Sequence, residues 1–540
     1  MGKDRIGFKP THSRRTAVLF IAALFCTGLV FIAFGLERDP VGLSEGVFEV
    51  RFDDVFASVP LAYDERTHTV YWPIQQHETA RAHALSANNG AARVVLGDEF
   101  HIDYKMPQPI TVSNGKSYFN AWVQFTPLAV MDIKTDTGEA PMAGYVEGQK
   151  DIQTPCMVSV TDPNWESNGG SYSLGYGATI HPRGGTTATL PKKGYRIHFY
   201  KDRVAQKTKY HVPLLGMHSQ DGWVLDPLSL DRSLLRVATG EHLWNELVES
   251  HEGPYTRNLL HGEYFELLLN GSYQGLYYLR VPIQGMTVGL DSQEGILFTD
   301  HGTGAVDLEN LDLKKGKGNR YQSMSINYPT GMEDYNGYWP FAAQSIKRML
   351  DKLYLEEGDV SDMWNMQNAA DMWLFNQLLY SKDTSEHAKN VYYSKRNWKD
   401  VDERLWMTPW DIDLTMQLNF CVHDSGMLQQ DHRYDGKVCT IDATPDMILP
   451  MGLLDYLTEP ECPEGREMLK SRWRQLRLGA WSNDSVMGYI EEKRALLDES
   501  GAGIRDAARW SHEKPFFHIE RIESWLSQRL IALDAYIASL

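Results

Sequence analysis

The chain has 540 residues, of which 42% are hydrophobic and 15 are tryptophan, and its formal net charge at pH 7 is −18. This hydrophobic fraction excludes an intrinsically disordered chain, and the length allows several domains or one large domain with additions. The acidic excess argues against nucleic acid as a partner, because no basic block offsets it. It does not exclude a nucleotide, because Mg²⁺ brings ATP to acidic proteins.

The amino-terminal segment predicts a membrane anchor. Residues 16–36 carry no charge, and a run of about 21 residues is long enough for a helix to cross the hydrocarbon core. The basic residues before it predict a cytoplasmic tail over residues 1–15 and place everything after Glu37 outside the cell membrane. A cleaved signal peptide is the alternative. The absence of a convincing Ala-x-Ala site after the apolar run favours an uncleaved, single-pass anchor.

The cysteines leave the redox state open. Cys26 lies in the apolar run, and the other four cysteines allow three pairings. Pairing of Cys421 with Cys439 would close the shortest plausible loop. Their spacing contains no Cys-x-x-Cys and no zinc pattern. A disulfide fits an external location, and buried free thiols are the alternative.

Residues 37–125 predict a stem followed by a small β-rich region. Short β-type runs begin at Val70 and are separated by Gly, Asn, Pro and Asp. The histidines of this region have no paired spacing, so no chemistry is assigned to them.

A strand with one apolar face is predicted around residue 197. The apolar face consists of Tyr195, Ile197 and Phe199. Arg196 and His198 form the opposite face, because successive side chains of a strand alternate. Lys193 stands on the apolar side at the start of the strand, where a lysine needs an anionic partner or a route to solvent. A phosphate and a solvated strand end both satisfy that need.

Further along the chain, a helix is predicted over about residues 233–249, followed by a β-hairpin. Asn270-Gly271 supplies the positive φ angles of a type I′ turn between two β-rich flanks. Residues 286–340, rich in Gly, Asp and Lys, predict an irregular insertion. Helices dominate afterwards, and the last of them carries an apolar stripe that belongs to the core: Ile519, Ile522, Leu526, Leu530, Leu533 and Ile537.

The stretch from residue 373 to residue 420 is predicted to carry the chemistry. A buried helix leads to Asp383, and Asn390 precedes two strands that end near Asp411 and Asp413. Side chains alternate along a strand, so Asp411 and Asp413 are predicted to share one face while Trp410 and Ile412 point the other way. Mg²⁺ prefers such carboxylate oxygens together with phosphate. The layout suits metal-assisted phosphoryl transfer. Turn and cap roles, which Asp and Asn favour anyway, are the alternative.

These segments, in this order, resemble the CotH family of spore-coat-type atypical protein kinases. The resemblance covers about residues 127–540 and rests on Arg183-Gly184, Pro191 to Arg196, Leu214 to Met217, Asp221 to Asp226, Asn245-Glu246, Phe265 to Tyr277, Asp383 with Asn390, Pro409 to Asp413 and Arg529. It implies an α+β fold. A two-lobed, protein-kinase-like domain over residues 126–540 would hold ATP between its lobes, after the small β-rich region and the transmembrane helix.

The resemblance also implies roles for individual residues. Asp383 would be the catalytic residue that orients the acceptor hydroxyl and takes its proton, while Asn390 and Asp411 would hold Mg²⁺ (or Mn²⁺) on the phosphates. Asp413 would assist the metal or cap the next turn. Lys193 and Arg196 would neutralise phosphate charge.

The chain departs from kinase patterns in three ways. Six residues separate Asp383 from Asn390, where ordinary kinases have four. The chain contains no Gly-x-Gly-x-x-Gly loop. After the hairpin the family commonly carries a Glu-Lys-Ile-Asp type segment, whereas this chain has Leu279-Arg-Val-Pro-Ile-Gln284. Arg280 would then replace a family lysine as a nucleotide contact, and the two side chains are not interchangeable.

The resulting prediction is a membrane-anchored, Mg-dependent kinase that phosphorylates Ser or Thr of a surface or coat protein. A related enzyme that transfers AMP is one alternative. Another is an inactive kinase-like scaffold or adhesin, favoured by the departure at Arg280 and by the scarcity of ATP outside cells. A carbohydrate-binding protein rests only on the many aromatic residues and on the anchor, and ranks last.

Overall fold

The computed structural model describes sixteen segments of the chain. They are residues 48–52, 59–75, 82–87, 92–96, 101–114, 118–141, 152–184, 190–251, 259–290, 293–300, 324–329, 337–355, 360–385, 390–418, 444–510 and 519–540. The predicted tail, the predicted anchor at 16–36 and the Cys421–Cys439 pair lie outside them. Within these segments no helix is both long and apolar enough to cross a bilayer. Cys156 and Cys462 are buried free thiols.

The region predicted to be β-rich forms a closed barrel with the strand order β1-β2-β3-β7-β6-β5-β4. Its strands are β1 (Phe48–Phe52), β2 (Val59–Asp64), β3 (Thr69–Pro73), β4 (Ala82–Ala87), β5 (Ala92–Leu96), β6 (Gln108–Ser113) and β7 (Tyr118–Thr126). Alternate residues such as Val70, Trp72, Val123 and Phe125 point inward and form a core of their own. Closure leaves no open strand edge, which explains how short strands form a stable unit.

A second sheet follows, with the order β10-β9-β8-β14-β15-β13-β11-β12. Its strands are β8 (Ala129–Thr135), β9 (Thr154–Thr161), β10 (Ser173–Arg183), β11 (Gly194–Asp202), β12 (Lys207–Lys209), β13 (Gly222–Asp226), β14 (Gly262–Leu269) and β15 (Ser272–Arg280). Because β10 also pairs with β11, seven of these strands close into a ring. The predicted inward face of β11 is confirmed, since Tyr195, Ile197 and Phe199 all belong to the core inside this ring.

The predicted hairpin is also confirmed. β14 and β15 are antiparallel, and Leu269 pairs with Ser272 across the turn. Asn270 and Gly271 have φ angles of 48° and 65°, the left-handed values that a type I′ turn requires.

The remaining elements form a third sheet and a helical layer. The sheet has the order β17-β16-β18-β19, with β16 (Ile296–Asp300), β17 (Met324–Tyr328), β18 (Val391–Lys395) and β19 (Trp406–Pro409). The helices are α1 (Arg236–Glu249), α2 (Tyr338–Leu355), α3 (Met366–Leu379), α4 (Pro463–Arg477), α5 (Asn483–Ser500), α6 (Ala502–Trp510) and α7 (Ile519–Ser539). The predicted apolar stripe of α7 is confirmed, since all six of its residues are buried in the largest core.

The prediction of an irregular insertion over residues 286–340 is wrong in part. β16 and β17 lie within that range, and β16 pairs with β18 directly behind the site predicted from the sequence. The side chains of Ile296, Leu297 and Phe298 are fully buried. The prediction relied on the composition of the whole range, which is dominated by Gly, Asp and Lys. The apolar run is too short to change that composition, so the strand was not predicted.

A buried ion pair fastens α6 to the second sheet. Lys192 is 2% exposed, and its Nζ lies 2.6 Å from Oδ1 of Asp506. The same Asp506 oxygen accepts a hydrogen bond of 3.0 Å from the Leu276 backbone amide in β15. The sequence had pointed to Lys193 as the lysine in need of an anion. Its neighbour Lys192 is the lysine that the fold buries, and its anionic partner is supplied by the protein.

Replacing Lys192 with alanine is expected to destabilise the fold by about 3–5 kcal/mol, because Asp506 would remain buried without a counter-charge. Urea unfolding followed by circular dichroism measures the change. Lys207→Ala provides the control: Lys207 is exposed on the short strand β12, and its loss should cost less than about 0.5 kcal/mol. Equal unfolding midpoints for Lys192→Ala and the control would show that the pair contributes nothing net.

Candidate active site

The end of α3 positions Asp383. The helix stops at Leu379, because Tyr380 adopts a left-handed conformation with φ of 52°. A short 3-10 helix from Lys382 to Thr384 follows, and the Thr384 hydroxyl donates to the Asn376 side chain inside α3. Asp383 is therefore carried on a turn that is anchored to a buried helix.

The structure brings Asp383 and Asn390 together. Nδ2 of Asn390 donates to Oδ2 of Asp383 over 3.3 Å, and the Asn390 carbonyl accepts from the Trp410 backbone amide over 2.8 Å. Asn390 has a φ of 58°, a left-handed conformation that asparagine tolerates better than most residues. One residue thus connects the predicted catalytic Asp to the segment that carries Asp411 and Asp413.

Asp411 and Asp413 lie beyond the strand on which the sequence argument placed them. β19 ends at Pro409, and Asp411 is left-handed with φ of 59°. The extended conformation assumed for residues 410–413 is therefore wrong. The alternation of burial nevertheless holds, since Trp410 and Ile412 are buried while Asp411 and Asp413 are half-buried. Asp411 and Asp413 therefore remain more exposed than Trp410 and Ile412, although the backbone turns instead of continuing as a strand.

Helix α1 and the end of α3 hold this acidic segment. A Cβ built on Gly240 in α1 would lie 2.6 Å from Cδ1 of Ile412, so only glycine lets Ile412 seat this closely without adjustment. Arg236 of α1 donates through Nε to the Thr415 carbonyl over 3.0 Å. The Met416 amide donates to the Leu379 carbonyl over 2.7 Å. Asp411 and Asp413 are thereby positioned by two helices.

Electrostatics show that further carboxylates converge here. The pKa of Asp413 lies well above its usual value, because burial and then the charges of Asp411, Asp226 and Asp383 disfavour its ionised form, while Arg280 opposes them. A cation bound among these groups would reverse that penalty. The donor types suit Mg²⁺, which binds carboxylate and amide oxygens.

The described residues contain no group of three acidic, His or Cys side chains close enough to form a complete metal cage. A Mg²⁺ site of the nucleotide type uses one or two carboxylates, keeps several waters and takes further oxygens from the phosphates. Asp411, Asp413 and Asn390 fit that arrangement.

Two arginines lie opposite the acidic segment on the second sheet. Arg196 pairs with Val224, and Val224 pairs with Arg280, so the three side chains share one face. That face is the outside of the ring, since the neighbours Tyr195 and Leu279 point into its core. Register across three strands thus places Arg196 and Arg280 together, a relation that sequence spacing did not contain.

Arg280 is fully buried and already paired. Its Nε donates to Oε1 of Glu241 over 2.7 Å, and its Nη1 donates to Oδ2 of Asp226 over 3.1 Å. Its Cζ lies 3.9 Å from the centre of the Trp410 ring. Burial acts to lower the pKa of Arg280, but the charges of Glu241, Asp226 and Asp411 outweigh it and keep this pKa above its usual value.

Glu241 and Asp226 were not predicted to lie at this site. Asp226 ends one of the motifs that carry the family resemblance, so a signal was available. Glu241 had no such signal in the sequence, because an acidic residue within an amphipathic helix is ordinarily assigned to its solvent-facing side. Lys193, in contrast, precedes β11 and is half-buried, and its carbonyl accepts from the Tyr277 hydroxyl over 2.9 Å. It does not join the row formed by Arg196 and Arg280.

His198 lies on the same outer face as Arg196. Its ring stacks on that of His181 with centroids 6.0 Å apart, and its Nδ1 lies 3.9 Å from Oδ2 of Asp221. Burial, helped by the charge of Arg196, lowers the pKa of His198 to about 3. The imidazole is therefore neutral in the folded protein at physiological pH.

This shift predicts acid lability. The unfolded chain binds a proton at His198 below about pH 6.5, while the folded chain does so only near pH 3, so stability is lost as the pH falls through that range. His198→Gln is expected to reduce the fall in unfolding free energy between pH 7 and pH 5 by about 1–2 kcal/mol. Urea titrations at both pH values measure it. The exposed His101→Gln provides the control, and an unchanged pH dependence in His198→Gln would contradict the prediction.

These features define a mixed α/β protein whose acidic segment, carried by helices and a hairpin, faces an arginine-bearing sheet. Residues 180–533 match the family described as CotH kinase protein, and this range includes every site residue discussed above. The chain therefore belongs to the CotH kinase family, as the resemblance predicted. The amino-terminal barrel lies outside the matched range. A search of curated proteins found no match.

Proposed function

We propose that this chain is an atypical protein kinase that transfers the γ-phosphoryl group of ATP to Ser or Thr of a surface or coat protein. The observation that carries the proposal is the contact of 3.3 Å between Asn390 and Asp383, with the charges of Asp411, Asp413 and Arg280 beside it. Family membership supports a kinase-like activity.

In this proposal Asp383 is the catalytic residue. It is half-buried, and its Oδ2 accepts a hydrogen bond from the Asn390 side-chain amide. In this role the carboxylate would orient an acceptor hydroxyl and take its proton. Asn390, Asp411 and Asp413 would hold Mg²⁺ or Mn²⁺. The metal supplies charge neutralisation for the phosphates.

Lys193, Arg196 and Arg280 are the proposed nucleotide contacts. Arg196 and Arg280 occupy the outer sheet face opposite the acidic segment, whereas Lys193 is half-buried before β11. Arg280 already forms ion pairs with Glu241 and Asp226. Its main contribution would therefore be the positive charge that it places next to Trp410 and Asp411.

The proposal includes the location. The basic tail 1–15 and the uncharged run 16–36 support a single-pass anchor with the catalytic part outside the cytoplasm. The acceptor would then be a protein exposed on the same side of the membrane, and ATP would be the nucleotide partner.

Incubation with labelled ATP and Mg²⁺ or Mn²⁺ tests the reaction. A kinase is expected to incorporate label from γ-labelled ATP and none from α-labelled ATP. Incorporation of the α-label would show AMP transfer instead. Incorporation of neither label, with the chain itself and a mixture of surface proteins as acceptors, would contradict both enzymatic proposals.

The second candidate is an inactive scaffold, and one observation favours it. Arg280, which would replace a family lysine, is fully buried and forms ion pairs with Asp226 and Glu241, although its Nη2 has no hydrogen-bond partner among the described residues. Thermal unfolding with Mg-ATP separates the two candidates. A ligand at a hundredfold excess over its Kd stabilises the fold by about 2.7 kcal/mol, so an unchanged Tm would favour the scaffold.

A further inference from the structure

A second arginine lies near the Trp410 ring. Arg183 ends β10, and its Cζ lies 5.8 Å from the centre of the Trp410 ring, which also carries Arg280 at 3.9 Å. Trp410 directly precedes Asp411 in the chain. Arg183 is therefore a cationic side chain adjacent to the acidic segment, although none of the roles assigned so far includes it.

Strand register places Arg183 on the outer face of the ring. His181 pairs with Arg196 across β10 and β11, and Arg183 follows His181 by two residues, so all three side chains share one face. Arg183 itself pairs with Gly194 at the end of the ladder. It thus stands at the end of β10, on the face that carries Arg196 and Arg280.

The charges around Tyr392 show that Arg183 acts on the centre of the site. Burial raises the pKa of Tyr392, the charges of Arg196 and Arg183 oppose that rise, and the charge of Asp411 adds to it. One hydroxyl therefore lies within electrostatic reach of Arg183 and of the proposed metal ligand Asp411.

The charge of Arg280 is neutralised by carboxylates of the protein, whereas that of Arg183 is not neutralised by any described carboxylate. Arg280 is buried against two carboxylates. Arg183 is half-buried, and its guanidinium makes no ion pair and no hydrogen bond with any residue in the described part of the chain. At 5.8 Å from the ring centre the Arg183 guanidinium is within cation–π range of Trp410, and its planar N–H groups can donate two parallel hydrogen bonds to a phosphate.

We propose that Arg183 is the residue that binds the phosphates of the nucleoside triphosphate at this site. The inference rests on the proposed function and goes beyond it, because it assigns the direct phosphate contact to a residue outside the set of Lys193, Arg196 and Arg280. Arg280 then keeps its protein carboxylate partners next to Trp410. Arg183 instead takes its anionic partner from the phosphates of the ligand.

The test compares ligands that differ only in phosphates. Arg183→Gln is expected to weaken Mg-ATP binding by about 10- to 100-fold, the effect of losing hydrogen bonds to a charged group, and to leave adenosine binding unchanged. Isothermal titration with ATP, ADP, AMP and adenosine measures this. Arg203→Gln is the matched control, because Arg203 lies in the same sheet region, is partly exposed and pairs with Asp136 at 3.2 Å.

The outcomes are separable. If wild type binds Mg-ATP and Arg183→Gln binds it equally well, the inference fails and the proposed function stands. If Arg183→Gln loses ATP and adenosine alike, Arg183 shapes the pocket and the phosphate contact is overturned. If folded wild type binds no Mg-ATP, the proposed function itself fails. Arg183→Lys should recover only part of the ATP affinity, since lysine restores charge without the planar donor pair.

Discussion

Asp383→Asn is expected to reduce phosphoryl transfer by about 10²- to 10⁴-fold, the range that general-base catalysis contributes. An asparagine preserves the size of the side chain and a hydrogen bond to Asn390, but it cannot take the proton of the acceptor hydroxyl. Because Asp383 is half-buried and the substitution keeps the size of its side chain, the fold should tolerate the change. Initial rates with γ-labelled ATP, together with Mg-ATP affinity by titration, separate chemistry from binding.

Substitution of Asp411 is expected to impair metal binding and not proton transfer. Asp411→Asn is expected to raise the Mn²⁺ concentration needed for half-maximal binding, as read by the electron paramagnetic resonance of free Mn²⁺ in the presence of ATP. Asp383→Asn should leave that concentration nearly unchanged. Asp402→Asn, an exposed change in the loop between β18 and β19, is the matched control for both variants. Retained phosphate incorporation in both Asp383→Asn and Asp411→Asn would end the kinase proposal.

Arg280→Met should be the most destabilising single change at the site, at about 3–5 kcal/mol. Methionine fills much of the space under Trp410 but leaves Glu241 and Asp226 without a counter-charge in a position where Arg280 is fully buried. Urea unfolding measures the loss. The partly exposed Arg203→Met serves as the control, with an expected cost below about 1 kcal/mol.

A double-mutant cycle identifies the cause of that loss. If unpaired carboxylates are responsible, adding Glu241→Gln to Arg280→Met should recover part of the stability, because one buried charge disappears. Strict additivity of the two changes would show that Arg280 contributes through packing on Trp410 and not through its ion pairs.

Local patterns anticipated a large share of this site. The helix before Asp383, the hairpin of β18 and β19, and the apolar face of β11 follow from side-chain periodicity, which depends only on neighbouring residues. The resemblance implied that Asp383 and Asn390 act together, and the structure places their side chains in contact. The conformation of Asp411 was not anticipated, because a left-handed residue leaves no trace in an alternating apolar pattern.

By itself the sequence determined the strand and helix periodicities, the Asn270-Gly271 turn, the apolar stripe of α7 and membership of the CotH kinase family. Tertiary structure alone decided that β8 pairs in parallel with β14, that the first seven strands form a closed barrel and that the second sheet closes into a ring. It also decided that Lys192 and not Lys193 is the buried lysine, and that Glu241 and Asp226 neutralise Arg280. The reason is physical: periodicity shows which face of an element is buried, whereas charge pairing depends on which distant elements meet across that face.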